Sequence, residues 1–136
     1  MALLTWHFFS EALGVSTAAT VLLPESAHGQ IGMGGADVAS PPPVLYLLHG
    51  LSDDETIWVR RTAVERYVAE RGVAVVMPRG GRSMYADEVH GGAYWTFLSH
   101  ELPRAVQQCF RVSDRREDTF VAGLSIATAM LLIVAG

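Results

Sequence analysis

The chain has 136 residues, of which 50% are hydrophobic and 18% charged, and its net charge is −4. This balance describes one domain that buries a core, and it excludes disordered and collagen-like chains. No basic excess exists to neutralise phosphates, which argues against nucleic acid as a partner; the single cysteine, Cys109, excludes an internal disulfide framework and a cysteine-based zinc site.

The N-terminal stretch is apolar, but no Lys or Arg lies near Met1, and Thr5, His7, Ser10 and Glu11 break the run. A secretory signal needs a basic start and an unbroken apolar stretch, so none is expected and a cytoplasmic location follows. Residues 3–9 are apolar and aromatic, and residues 16–23 run through small and β-branched residues into Pro24; both predict strands, paired antiparallel around Gly14. Residues 24–43, rich in Gly and Pro, read as a flexible loop.

Val44–Leu48 (VLYLL) is a continuous apolar run bounded by Pro43 and His49-Gly50, the pattern of a strand buried on both faces. Residues 59–71 carry apolar side chains at helical spacing, with Gly72 where a C-terminal cap belongs. Residues 73–77 (VAVVM) predict another buried strand, and a Gly-rich loop fills 79–93. Residues 94–110 read as helix, which Pro103 must restart or kink. Residues 119–122 predict a last strand, running into Gly123-Leu124-Ser125 and an apolar helix over 126–135. Ten residues cannot cross a bilayer, which takes about 20 in a helix, so no membrane span is expected. Strands alternating with helices after an initial hairpin predict an α/β fold: antiparallel first strands, then parallel βαβ units with helices on both faces.

Gly123-Leu124-Ser125-Ile126-Ala127 nearly matches G-x-S-x-G, and it sits between a predicted strand and a predicted helix. A serine on that turn stands clear of the sheet edge, and the N–H of Ile126 is free to donate to an oxyanion. An ordinary serine helix cap is the competing reading. After the VLYLL strand, His49-Gly50-Leu51 supplies a tight turn whose Leu51 N–H is a second candidate donor. His49 reads as a loop-positioning residue and not as a general base.

With these two elements in order, the chain resembles the esterase D and tributyrin-esterase branch of the α/β-hydrolases, with its S-formylglutathione hydrolase, feruloyl and acetyl-xylan esterase and mycolyltransferase relatives. The resemblance rests on FFSEALGVSTAATVLLPE, VLYLLHGLSDDETIW, VAVVMPRGGRSMY, FLSHELPRAVQQCF with its Glu101-Leu102-Pro103, and DRREDTFVAGLS. It implies the three-layer α/β-hydrolase fold, with Ser125 as nucleophile and the N–H groups of Leu51 and Ile126 as oxyanion hole. Gly123, His49 and Gly50 support that site, while Trp58, Tyr94 and Trp95 are candidates to line an acyl pocket. It further implies hydrolysis of short-chain acyl esters or thioesters, with no metal or organic cofactor and a small-molecule ester as partner.

After Ser125 the resemblance stops. In α/β-hydrolases an Asp or Glu and then a His follow the serine. The eleven residues after Ser125 contain no acidic residue and no histidine. Of the five preceding histidines (His7, His28, His49, His90 and His100) only His90, beside Asp87 and Glu88, lies in a loop on the expected active-site side, and a solvated loop histidine is the simpler reading. The sequence therefore reads as the N-terminal part of one α/β-hydrolase domain, inactive in this form. The alternative is a non-catalytic module that self-associates through an open sheet edge and the apolar 126–135 helix.

Overall fold

A computed structural model describes residues 1–38, 40–125 and 127. Strands β1 (Ala2–Ser10) and β2 (Val15–Leu23) form an antiparallel hairpin that turns at Gly14, whose φ of 65° is the left-handed conformation glycine adopts without steric cost. Strands β3 (Val44–Leu48), β4 (Ala74–Pro78) and β5 (Thr119–Gly123) complete a five-stranded sheet of order β1-β2-β4-β3-β5. β2 meets β4 antiparallel, while β3 runs parallel to both β4 and β5, in a register that places Val44 beside Ala74 and Thr119. Antiparallel entry strands followed by parallel pairs are the arrangement expected from the sequence.

The sheet has apolar packing on both faces. Leu47, Val75 and Met77 pack with Val68 and with Trp58, Val59 and Val64 from helices α1 (Ile57–Arg61) and α2 (Val64–Ala69). On the other face Val21, Tyr46 and Val76 pack with Phe97, Leu102 and Val106. Burial there pushes the Tyr46 phenol up to about 12. β1 is a sheet edge and alternates accordingly: Leu4, Trp6 and Phe8 turn to the core, and Leu3, Thr5, His7 and Phe9 to solvent. Trp6 stacks on Phe8 at 4.0 Å and meets Phe110 edge-on at 5.1 Å.

Two expected helices are interrupted, each for a local reason. The helix expected over 59–71 is α1 and α2, separated where Thr62 takes an extended backbone (φ −137°, ψ 172°). Its hydroxyl donates to the Trp58 carbonyl and accepts from the Val64 N–H, so one side chain ends the first helix and starts the second. Gly72 follows in the left-handed region, φ 63°. The helix expected over 94–110 comprises α3 (Tyr94–Thr96), a π-helical turn (Phe97–Glu101) and α4 (Leu102–Cys109). Pro103 has no N–H and its ring would crowd the carbonyl four residues back; the wider π turn, closed by Leu102 N–H donating to the Phe97 carbonyl, absorbs it.

The π turn also places Glu101. Its carboxylate accepts from the Ser10 hydroxyl at 2.5 Å, from the Glu11 N–H at 2.7 Å and from the Ala12 N–H at 3.4 Å, tying the helix to the hairpin turn. β5 is the other sheet edge among the described residues, and Phe120 (52% exposed) and Val121 (44%) are open on its two sides. The apolar helix expected over 126–135 lies outside the described residues, apart from Ala127. Among the described residues no helix is long and apolar enough to cross a membrane.

Glu101→Ala leaves the buried Ser10 hydroxyl and two backbone donors without their acceptor, and it is expected to cost about 1–3 kcal/mol in urea unfolding. Glu101→Gln keeps one acceptor oxygen and recovers part of that loss.

Candidate active site

β4, β3 and β5 run parallel, so the loops that follow them gather at one edge of the sheet, where α/β folds place their ligands. β3 lies between the other two. The 49–56 loop therefore sits between the 79–85 loop on one side and Ser125 on the other.

Ser125 has φ 60°, a left-handed conformation that few non-glycine residues adopt. The turn is held on both sides: the Leu124 N–H donates to the Leu48 carbonyl at 3.3 Å, and the Ala127 N–H donates to the Leu124 carbonyl at 3.3 Å. Position 123 must be glycine on steric grounds. A Cβ there would lie 2.4 Å from the Ala127 Cβ and 3.1 Å from the Leu48 Cβ. The same contact explains Ala127, which is fully buried: its methyl fills the space that Gly123 leaves empty. Across the turn, the point where a Gly50 Cβ would stand is 3.8 Å from the Ser125 Cβ, 3.9 Å from Leu124 Cδ2 and 3.2 Å from Asp53 Oδ2. These are ordinary contact distances to Ser125 and Leu124, so the turn before Leu51 stands next to the serine, and the Asp53 carboxylate shares that face.

His49 is buried and fully engaged. Its Nε2 accepts from the Gly80 N–H at 2.9 Å, so the ring proton is on Nδ1 and is donated to the Gly50 carbonyl at 2.7 Å. With that lone pair occupied, His49 cannot take a proton from Ser125. The His49 carbonyl accepts from the Tyr85 hydroxyl at 3.0 Å. Burial, with the Asp53 charge acting in the same direction, holds the Tyr85 phenol above its ordinary range. Tyr85 is itself on a left-handed residue pair, Met84 and Tyr85, with φ 56° and 55°.

The remaining expected site residues are spread more widely. Leu51 is half-buried in the turn after Gly50. Ile126, the other expected oxyanion donor, lies outside the described residues. The Trp58 indole N–H donates to the Leu48 carbonyl at 3.3 Å, the same oxygen that Leu124 uses, and its ring packs against the core beside α1. Tyr94 packs against Gly92 and approaches Gly81, and Trp95 is half-buried at the start of α3. His90 is exposed, and neighbouring Asp87 is occupied elsewhere, accepting from the Thr96 N–H and hydroxyl.

Sequence reasoning missed a second tie on the 49–56 loop. Glu55, 5% exposed, receives a two-pronged hydrogen bond from the Arg79 guanidinium, with Nε at 2.8 Å from Oε2 and Nη2 on Oε1. Burial pushes the Glu55 carboxyl up, but the Arg79 hydrogen bond and charge outweigh it, so the group ends below its ordinary range. Asp54 is also lowered, by the Thr56 hydroxyl and then the Thr56 N–H. Neither Tyr85 nor Glu55–Arg79 has a spacing signature, because each joins residues 24 or more apart.

Residues 10–136 match the model of a family described as putative esterase. The chain belongs to that esterase family. An acetyl esterase of Caldicellulosiruptor saccharolyticus is 28% identical over 127 residues, covering 93% of this chain and 47% of that protein. Among solved structures, the fluorophosphonate-binding serine hydrolase F of Staphylococcus aureus superposes with a TM-score of 0.80 at 35% identity, covering 93% of this chain and 48% of that one. The S-formylglutathione hydrolase of Staphylococcus aureus gives a TM-score of 0.76 at 35% identity with the same coverage. The chain thus spans about half the length of these relatives, and its mixed sheet is the α/β-hydrolase sheet over that span.

Two outcomes follow from this geometry. Ser125→Gly relieves the left-handed backbone and Ser125→Ala does not, so the glycine variant should be the more stable of the two by about 1 kcal/mol in denaturant titrations. Glu55 has a lowered native pKa, so its contribution is complete above the ordinary glutamate value and is lost as pH falls through the lowered one. Between about pH 5 and pH 3, wild-type stability should fall more steeply than that of Glu55→Gln.

Proposed function

We propose that this chain carries the nucleophile half of a serine carboxylic ester hydrolase acting on short-chain acyl esters or thioesters. The observation that carries the reading is the left-handed Ser125, held at the end of β5 with its Cβ against the Gly50 turn. In this mechanism the Ser125 hydroxyl attacks the acyl carbonyl and its proton passes to a base. The tetrahedral oxyanion is held by the N–H of Leu51 together with that of Ile126. Loss of the alcohol or thiol leaves an acyl-serine that water then hydrolyses.

The base is the missing part. No histidine or carboxylate follows Ser125 within the 136 residues, and His49 is committed to Gly80. Without a base the serine is a weak nucleophile. Oxyanion hole and binding alone retain on the order of 10³ to 10⁴ over water in an intact enzyme stripped of its triad. The 136-residue chain by itself is therefore inactive as an esterase in this reading, and its p-nitrophenyl acetate hydrolysis should equal that of Ser125→Ala. Serine-dependent turnover above that level would overturn the claim of inactivity. The nucleophile assignment is checked separately by supplying imidazole as an external base. An acetyl adduct should then appear on Ser125 by intact-mass and peptide analysis and be absent in Ser125→Ala; no adduct at Ser125 counts against the acyl-serine reading.

The exposed β5 edge favours one further reading, a non-catalytic module that self-associates there. Phe120 and Val121 are half-exposed, on a strand whose outer side has no strand partner among the described residues. Size-exclusion chromatography across a concentration series distinguishes it, since a monomer at every concentration excludes self-association.

A further inference from the structure

We propose that Glu55 and Arg79 are positioning residues for the Leu51 N–H: their ion pair fixes the far end of the 49–55 turn, so that the turn is set beside Ser125 before any ester binds. The inference rests on the oxyanion role proposed for Leu51.

Three ties hold this turn, and all reach to the same side. At its start the His49 ring accepts from the Gly80 N–H and the His49 carbonyl accepts from Tyr85. At its end Glu55 is gripped by Arg79. Between these anchors the Asp53 N–H donates to the Gly50 carbonyl at 3.2 Å, and the Asp54 carbonyl accepts from the Ile57 N–H at 3.2 Å. Leu51 therefore depends on anchors two residues before it and four residues after it. Both anchors stand on the loop that leaves β4, whereas Ser125 lies beyond β3 on the opposite side. A turn pulled toward β4 at both ends keeps its tip from collapsing onto the serine.

Arg79 suits the role. Its backbone N–H donates to the Ala18 carbonyl of β2 at 2.9 Å, so the guanidinium extends from a point fixed in the sheet. Its planar fork meets both carboxylate oxygens and fixes direction as well as distance, which a lysine ammonium would not do. Glu55 is nearly inaccessible, and such a carboxylate is retained only with its partner in place, because unpairing leaves a buried charge. An apolar pair of similar size would cover the same core without specifying an angle.

The test uses the full chain, labelled with nitrogen-15. Heteronuclear relaxation is measured for residues 50–54 and for the β3 and β4 amides in wild type, Glu55→Gln, Arg79→Gln and the double exchange Glu55→Arg with Arg79→Glu. Support is a wild-type turn as ordered as the strands, loss of order confined to 50–54 in each single variant, and recovery in the double exchange. Order at 50–54 that is unchanged in the single variants overturns the proposal, as does loss spread equally through β3 and β4, or no recovery in the double exchange. Imidazole-assisted acetylation of Ser125 gives the chemical readout. In Arg79→Gln its rate at saturating ester should fall about tenfold or more, with the half-saturating concentration unchanged. A change in half-saturation alone overturns positioning. Absence of acetylation in the wild type removes the acyl-serine reading instead, and the relaxation data still decide whether the ion pair sets the turn.

Discussion

The ends of β3 and β5 approach each other closely enough that the residue after β5 bonds the last carbonyl of β3. Leu48 O accepts the N–H of Leu124 and the indole N–H of Trp58. This approach requires the absence of a side chain at 123, where a methyl would strike Leu48 on one side and Ala127 on the other. Gly123 is thus what lets the two strand ends close. Left-handed backbone at Ser125 is then the way for the chain to leave the strand without moving it.

The parallel order of β4, β3 and β5 turns this approach into a site. Because β3 is central, its loop has neighbours on both sides, and they differ in kind. Toward β4 the contacts are polar and specific: an imidazole, a phenol and a guanidinium fork. Toward β5 the turn stands next to Ser125 and Leu124, whose N–H donates to the Leu48 carbonyl at the root of the loop. Asp53 places a carboxylate on that side, close to Gly50.

Much of the architecture was legible because it is written in local patterns. The VLYLL run became β3 with its bounds unchanged, and all five strands fell within a residue or so of expectation. Helix continuity was less legible. The break at Thr62 depends on a hydroxyl choosing a backbone partner, and the π turn depends on how a proline is absorbed, neither of which alters apolar spacing. The glycine–serine elbow was visible as a motif, but the reason for Ala127 was not, since it lies in a contact between residues 123 and 127 and not in either alone. The Glu55–Arg79 pair was invisible for a similar reason. In sequence Glu55 is one of three consecutive acidic residues, and only the fold buries this one and gives it a cation.

Strand order has a consequence for synthesis. β1 pairs with its sequence neighbour β2, and β4 can join β2 and β3 as soon as it emerges, so four strands are available to assemble before β5 leaves the ribosome. β5 then docks on a β3 edge already fixed by its other partner. The nascent chain meets its strained serine turn after these four strands, and the cost of that turn falls on a sheet already in place to bear it.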